Sequence, residues 1–429
     1  MKARVYTLFC WAAYPLFFIV AMLIALSARL SCRPILDNPR LVWGEAPIIN
    51  NSYWARAMRA AGYESLTFTD GYSYTINKRE DYDRLVQESY GPIPVFLKYY
   101  LAFFESLFRF DVFFISFNGF FLGKTPFWRM EAQLLKLARK KVVVLPFGLD
   151  AFVYNRVKST SMLQGLLMSV PVPSRQQRRI AARVDYWCEH ADVVLLGFLG
   201  PDGFGRWDVI MPNFLFINYE EWTPSTRASD ADGVNDVVYI AHAPNHRGFK
   251  GSEFVIDAVA QLKRDGLKVE LVLIEGKQNS EVKRIFKEDV DILVEQLIAV
   301  GHGLNGLEGM ASGLPVISNL EDENYVSPLR RWSYFSECPI VSGSPENLVE
   351  ILRKLVTQPG IRRELGAAGR AYVQKYYGYD SAQYLFGEII HYLYGRRERL
   401  IDLYHPLLSD YPKRAAKVIH PLKNGRLPE

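Results

Sequence analysis

The chain has 429 residues with 51 Lys+Arg against 46 Asp+Glu, a formal charge of +5. At roughly 100–200 residues per domain this length suggests two or three domains, and 49% hydrophobic with 23% charged residues argues against both a disordered chain and a multi-span transporter. Five surplus charges over such a length do not make the clustered basic face that nucleic acid requires, so no nucleic-acid partner is expected.

Val5 to Ala28 carries no charged residue and is long enough, as a helix, to cross a hydrocarbon layer. Ser27-Ala28 runs straight into Arg29 without a small-x-small exit, which favours an uncleaved single-pass anchor over residues 1–37 against a cleaved signal peptide. Lys2 and Arg4 precede the stretch while Arg29, Arg33 and Arg40 follow it, a slight bias toward a body on the cytosolic face of a membrane (the inner membrane in a bacterium). Cys10, Cys32, Cys188 and Cys338 form no C-x-x-C pair, which fits reduced thiols and argues against a zinc site.

From residue 38 to about 220, short apolar runs alternate with helical patterns. Asp111–Ser116, Lys141–Pro146 and Ala191–Leu196 are predicted strands, with helices around 129–139 and 175–190 between them. That alternation means βαβ units and a parallel sheet, a Rossmann-like first domain. The aromatic-rich stretch Tyr90–Trp128 reads as a core helix and strand, with an amphipathic surface resting on a bilayer as the alternative. Residues 221–235 are polar and aperiodic, a linker. The alternation restarts over 236–380, with strands at 236–241, 268–274, 291–294 and 315–318 and helices at about 252–264, 280–287 and 305–312, giving a second doubly wound domain. Residues 381–429 are a helix followed by a basic tail, either solvated or held on anionic lipid. Two such sheets facing each other leave a cleft, where the carboxyl ends of the strands place ligands.

Two loops carry the chemistry. After the strand ending at Ala241 comes His242-Ala-Pro-Asn245-His246-Arg247-Gly248-Phe249-Lys250-Gly251-Ser252. A basic, glycine-bearing loop that opens a helix can hold phosphate through free N–H groups and charge, or it is a solvated βα loop with Ser252 as N-cap. The second loop is Gly301-His302-Gly303-Leu304-Asn305-Gly306-Leu307-Glu308. Its glycines permit close backbone approach, and Glu308, one turn into the helix, suits the hydroxyls of a ribose or the helix dipole. His242 and His302 are donor contacts or loop filler. Glu45, Asn118 and Asp150 lie in strand-end loops of the first domain as acceptor-side candidates, although lone carboxylates there are also ordinary caps. Asp230-Ala-Asp232 spells Asp-x-Asp, but in the linker, so no metal site is assigned.

Glu308-Gly-Met-Ala-Ser-Gly-Leu-Pro-Val-Ile317 resembles the Glu-Ala-Met-Ala-x-Gly-x-Pro-Val-Ile motif of GT-B glycosyltransferases, in particular glycosyltransferase family 4 (the "glycosyl transferases group 1" set). His246-Arg-Gly-Phe-Lys250-Gly-Ser looks like its Lys-Gly loop, Pro359–Val373 like its carboxyl-terminal helical signature, and Pro212-Asn213 like its exit from the first domain. The resemblance covers about 239–394 and implies a GT-B fold. It also implies a nucleotide-diphosphate sugar as donor, UDP- or GDP-linked, with retention at the anomeric carbon. Lys250, Arg247 and Glu308 would be the catalytic set; His242, Asn245, His246, Gly248, Gly251, Gly301, His302, Gly303, Asn305 and Gly306 would line the donor. No cofactor or obligatory metal is implied, because Lys and Arg take the place of one at the diphosphate. The family's first glutamate is replaced by Val300, and its usual diphosphate arginine by Asn245. With the anchor, the expected role is transfer to a glycan or lipid-linked acceptor in surface polysaccharide synthesis. The alternatives are a catalytically idle nucleotide-sugar-binding scaffold and an epimerase that needs no acceptor.

Overall fold

The computed structural model describes residues 6, 10, 12–31, 38–72, 77–196, 203–227 and 230–423. Two parallel sheets form the frame. In the first, β1 (Leu41–Trp43), β2 (Ser65–Thr69), β3 (Arg84–Leu85), β4 (Val112–Ile115), β5 (Lys141–Val144) and β6 (Val193–Val194) lie in the order β3-β2-β1-β4-β5-β6. Every pairing is parallel. This is the doubly wound Rossmann order, with its switch point between β1 and β4. In the second, β7 (Val238–His242), β8 (Val269–Leu273), β9 (Ile292–Val300), β10 (Val316–Asn319) and β11 (Val341–Ser342) lie in the order β11-β10-β9-β7-β8, switching between β7 and β9. Val/Ile-rich strands buried on both faces explain why these runs are nearly continuous apolar text rather than alternating.

The N-terminal anchor finds no support in the described residues. Among the described residues no helix is long and apolar enough to cross a membrane. The predicted span falls in part outside the described residues, and its described part, α1 (Tyr14–Leu30), is a 17-residue helix laid on the first domain. Ala21, Ala25 and Ala28, at i, i+4 and i+7, form its buried stripe, small enough for close helix approach. Phe17 stacks on Phe127 with ring centroids 4.1 Å apart. Leu16, Ile19, Val20, Leu23 and Leu30 remain exposed on the outer side. The aromatic stretch resolves into α2 (Val95–Arg109), β4 and the loop that follows, in which Phe103, Leu107, Phe113 and Phe120 are buried, while Val95, Phe96, Leu97, Leu101 and Phe108 of α2 face outward.

The presumed linker is laid along the second domain rather than left free. The Arg227 guanidinium Nε donates to both oxygens of Asp291 at 3.2 Å, and Ser225 N–H donates to the Ser312 carbonyl at 2.8 Å. The chain then returns to the first domain through α3 (Tyr379–Leu393). Phe386 packs edge-on against Trp43 (4.8 Å between centroids) and Phe114 (5.4 Å), and Gln383 Nε2 donates to the Ala57 carbonyl at 2.9 Å.

Up to residue 423 the tail folds back onto the body with apolar side chains inward, while Arg396, Arg399, Lys413 and Lys417 stay exposed. Leu400, Leu403, Tyr404, Tyr411, Val418 and Leu422 are buried. Arg414 lies over the Tyr411 ring at 3.7 Å and donates to Ser381 Oγ at 3.1 Å. Buried Glu337 ties the tail down: it accepts from Lys375 Nζ at 2.9 Å, Tyr376 OH at 2.7 Å and the Val418 N–H at 2.8 Å. Removing one member of a buried ion pair leaves the other charge uncompensated. Glu337→Ala should therefore cost ~3–5 kcal/mol in urea unfolding and open the 395–423 segment to limited proteolysis. Unchanged stability and protection would show that Glu337 does not hold the tail.

Candidate functional site

The carboxyl ends of β7 and β9, at the switch point of the second sheet, bring the two sequence loops together. Lys250 closes a short helical turn, Arg247–Lys250, that follows β7; Gly251 ends it at φ 74°, a left-handed conformation that glycine adopts without strain. The Lys250 ammonium is buried. It donates to Gln296 Oε1 at 2.6 Å and to Glu295 Oε1 at 3.3 Å. Glu295 also accepts from the Gly303 N–H at 2.6 Å. The carboxylate is thus wedged between lysine and glycine loop: a Cβ on Gly306 would come within 2.2 Å of Glu295 Oε2, and one on Gly303 within 3.0 Å of Oε1. Two of the three ammonium N–H directions are committed.

Above this pair, the helix Leu304–Ala311 begins, its first turn free of acidic side chains. Its leading N–H groups and dipole make this end receptive to an anion. Glu308 sits on the same helix, 5% exposed, with Asn279 Nδ2 donating to Oε1 at 3.3 Å. Burial pushes its pKa up to about 8, with Lys283 pulling the other way. Burial, with a smaller contribution from Glu308, pushes the Tyr53 hydroxyl of the first domain up.

Other sequence candidates are placed differently. His242 is a core histidine, with Nδ1 2.8 Å from the Val294 carbonyl and Nε2 2.8 Å from Ser252 Oγ; burial holds its pKa down at about 4. Ser252 is therefore not an N-cap. The residue preceding its helix is Gly251, and the Ser252 hydroxyl is used by His242. Arg247 faces outward onto Glu275, with Nε–Oε1 2.7 Å and Nη2–Oε2 2.6 Å, and Asn245 and His246 are exposed beside it. Gly248 makes room for the first domain: a Cβ there would come within 2.6 Å of Met168 Cβ on the helix Thr160–Ser169, whose Ser169 Oγ accepts from the Phe249 N–H at 2.9 Å. Gly301, at φ 90°, turns the chain out of β9 toward the glycine loop. Asn305 lies partly exposed in the first turn of the helix. His302 lies 1% exposed and is gripped by Asn213, whose Nδ2 donates to both the His302 Nδ1 and carbonyl at 3.1 Å. In the linker, Asp232 accepts from the Val234 and Asn235 N–H groups.

On the acceptor side, Asp150 accepts from the backbone N–H groups of Phe117, Phe147 and Gly148 at 2.9–3.0 Å, which makes it a loop clamp with little left to offer a substrate. Burial nevertheless raises its pKa to about 6. Asn118 belongs to a loop held by Arg183, whose Nη1 donates to its carbonyl, and by buried Glu131. Glu45 is buried at the end of β1, 2.6 Å from Lys124 Nζ, which also reaches Asp70 at 3.4 Å; burial raises its pKa while Lys124 opposes. Glu295, Gln296, Lys124 and Glu131 escaped the sequence reading, and Asn213 entered it only as part of the Pro212-Asn213 resemblance, without its role on His302. Glu295 and Gln296 lie inside an apolar strand, and two adjacent polar residues there were the available signal.

No protein-family model matches the chain, and no curated protein sequence matches it. Solved structures that superpose on it include WaaG, a glycosyltransferase involved in lipopolysaccharide biosynthesis, at 15% identity over 82% of this chain and 99% of that one, TM-score 0.40. They also include a glycosyltransferase from Rickettsia africae at 13% identity, 84% and 100% coverage, TM-score 0.47. A third is the S. aureus MnaA–UDP complex at 12% identity, 85% and 98% coverage, TM-score 0.45. At such identities and scores the likeness is one of general shape, and the function has to be argued from the site's own residues.

The raised Glu308 pKa has a testable sign. Between about pH 4.5, the ordinary glutamate value, and about 8, the folded chain holds a proton the unfolded chain has released, so Glu308 makes stability fall as pH rises through that window. Glu308→Gln abolishes this dependence. The Tm difference, variant minus parent, should rise by several degrees from about pH 5 to about pH 9, at ~2–4 °C per kcal/mol. A difference that stays flat with pH would mean that Glu308 is not a buried, protonated acid.

Proposed function

We propose that the chain is a glycosyltransferase that moves a sugar from a UDP- or GDP-linked donor, with retention, to a glycan or lipid-linked acceptor in surface polysaccharide synthesis. The observation that carries this reading is the Lys250 ammonium buried beneath the glycine loop and helix amino terminus at a sheet switch point, with Glu308 one turn further along the same helix. In the reaction the anomeric carbon–oxygen bond breaks and its electron pair leaves with the diphosphate. A fixed ammonium and helix N–H groups in a dry cleft stabilise that charge without a metal. The third N–H of Lys250 would serve this task while Glu295 and Gln296 hold the side chain in place. Glu308, as carboxylate, would accept hydrogen bonds from the ribose hydroxyls, so donor affinity should strengthen toward pH 8. Arg247 would have to leave Glu275 to contribute; the exposed pair is weak enough to allow it.

We place the body against the cytosolic side of a membrane, where nucleotide sugars are made. The outward apolar residues of α1 and α2, Leu16, Ile19, Leu23, Phe96, Leu97 and Leu101, support a surface that rests on lipid near such an acceptor. A second reading, a nucleotide-sugar-binding scaffold without turnover, is favoured by one feature: Lys250 and Arg247 are each paired with a carboxylate.

The test is UDP and GDP release from their common sugars, with and without lipid-phosphate acceptors, followed by NMR of the product's anomeric configuration. Lys250→Ala should lower turnover by ~10²–10³, and Lys250→Met/Glu295→Gln, which removes both buried charges together, should be equally inactive while folding normally. Nucleotide binding without release in the parent chain would sink the transferase and leave the scaffold. A changed sugar without an acceptor would point to epimerisation.

A further inference from the structure

The helix Thr160–Ser169 touches the basic loop that carries Lys250, with Ser169 Oγ accepting from the Phe249 N–H at 2.9 Å. Its end and the turn after it expose apolar side chains close together in the chain: Leu167 is 36% exposed, Met168 56% and Val172 62%. Neighbouring apolar groups left in water mark an interaction surface more often than chance. Directly after them Arg175, Arg178 and Arg179 stand exposed, over the turn Val172–Gln176 and the start of the helix Gln177–His190.

The charge here has one sign. Residues 151–184 hold five arginines and one lysine without a single Asp or Glu. Arg156 is paired with Asp185, and Arg183 is buried, donating to the Asn118 and Gly123 carbonyls. Among the described residues Arg175, Arg178 and Arg179 form no ion pair. Arg175, Arg179 and Arg183 follow one another at i, i+4 and i+8, a spacing at which like charges destabilise a helix. Burial first, and then the Arg179 charge, bring the Arg183 pKa down to about 10. The same flank runs on to α1: Arg183 lies over the Trp128 ring at 5.0 Å, exposed Arg129 over that ring at 4.3 Å, and adjoining Phe127 stacks on Phe17 of α1. Basic and apolar side chains interleaved on one flank are what the headgroup layer of an anionic membrane accepts, because it offers phosphate above and hydrocarbon beneath.

We propose that the ridge Arg175, Arg178 and Arg179, together with Leu167, Met168 and Val172, docks on the anionic headgroups of a bilayer. This docking rests on the reading of α1 and α2 as a lipid-facing surface and adds to it a requirement for negative lipid. The guanidinium groups meet headgroup phosphates in paired hydrogen bonds, and the three apolar side chains enter the interfacial layer. Since the helix Thr160–Ser169 joins the ridge to the basic loop, docking holds the donor-site loop close to the membrane surface.

The test is co-sedimentation of the full chain with vesicles of phosphatidylcholine alone or mixed with phosphatidylglycerol. Expected is stronger partition into the anionic vesicles at ~0.1 M salt, an advantage that fades at ~1 M as the Debye length falls from ~10 Å to ~3 Å. At about fivefold per arginine near an anionic surface, Arg175→Gln/Arg178→Gln/Arg179→Gln should lose at least ~tenfold of that advantage, with partition into phosphatidylcholine unchanged. All three side chains are exposed, so far-UV circular dichroism of the variant should match the parent. Equal partition of the parent into both vesicles would overturn the docking and leave the α1/α2 surface standing, whereas no partition into either would overturn both. A folded triple variant that keeps the full anionic preference would also overturn it. Arginine-dependent binding to soluble poly-glutamate without vesicle binding would assign an acidic protein partner in its place. Sugar-nucleotide turnover in detergent is read separately, so loss of docking and loss of transfer are told apart.

Discussion

A lysine ammonium taken out of water has to be met by a carboxylate, and the second domain is arranged around that requirement. Lys250 comes from the loop after β7, Glu295 from the middle of β9, and the N–H that completes the carboxylate from Gly303. One buried pair thus ties together the basic loop, the central strand and the glycine turn. It also dictates composition, because any side chain at Gly306 would strike Glu295. Broken on either side, the pair leaves an uncompensated charge in the interior, so the site's electrostatics and the domain's integrity are the same problem.

The two domains meet through equally local constraints. Gly248 and Gly165 lack side chains where the basic loop meets the helix Thr160–Ser169: a Cβ on Gly165 would be 3.1 Å from the Gly248 carbonyl. On the other side Asn213, at the exit from the first domain, grips His302 at the entrance to the glycine loop. These contacts press the basic loop onto the first domain with Lys250 buried, where low dielectric strengthens its charge interactions, while Asn245, His246 and Arg247 stay exposed.

The outer surface follows from the small residues of α1. Alanines at 21, 25 and 28 let the helix lie close on the first domain, so its larger apolar side chains point away and join those of α2. An apolar stretch in sequence does not say which of its faces is buried or against what. A spanning helix and a helix laid on a domain begin from the same composition, and the alanine periodicity marks only which face packs closely.

The sequence by itself determined two parallel α/β domains, because strand-length apolar runs alternating with helical periods permit little else, and it singled out Lys250, the glycine loop and Glu308 because phosphate and ribose recognition demands those residue types near helix starts. Only the tertiary structure decided which candidates share a site. It moved His242 into the core, turned Arg247 onto Glu275, made Asp150 a loop clamp and folded the basic tail against Glu337. It also supplied Glu295 and Gln296, hidden within an apolar strand. The physical reason is that periodicity along a chain records which face is buried, whereas the pairing of buried polar groups is settled between segments far apart in sequence, by distances that no local pattern encodes.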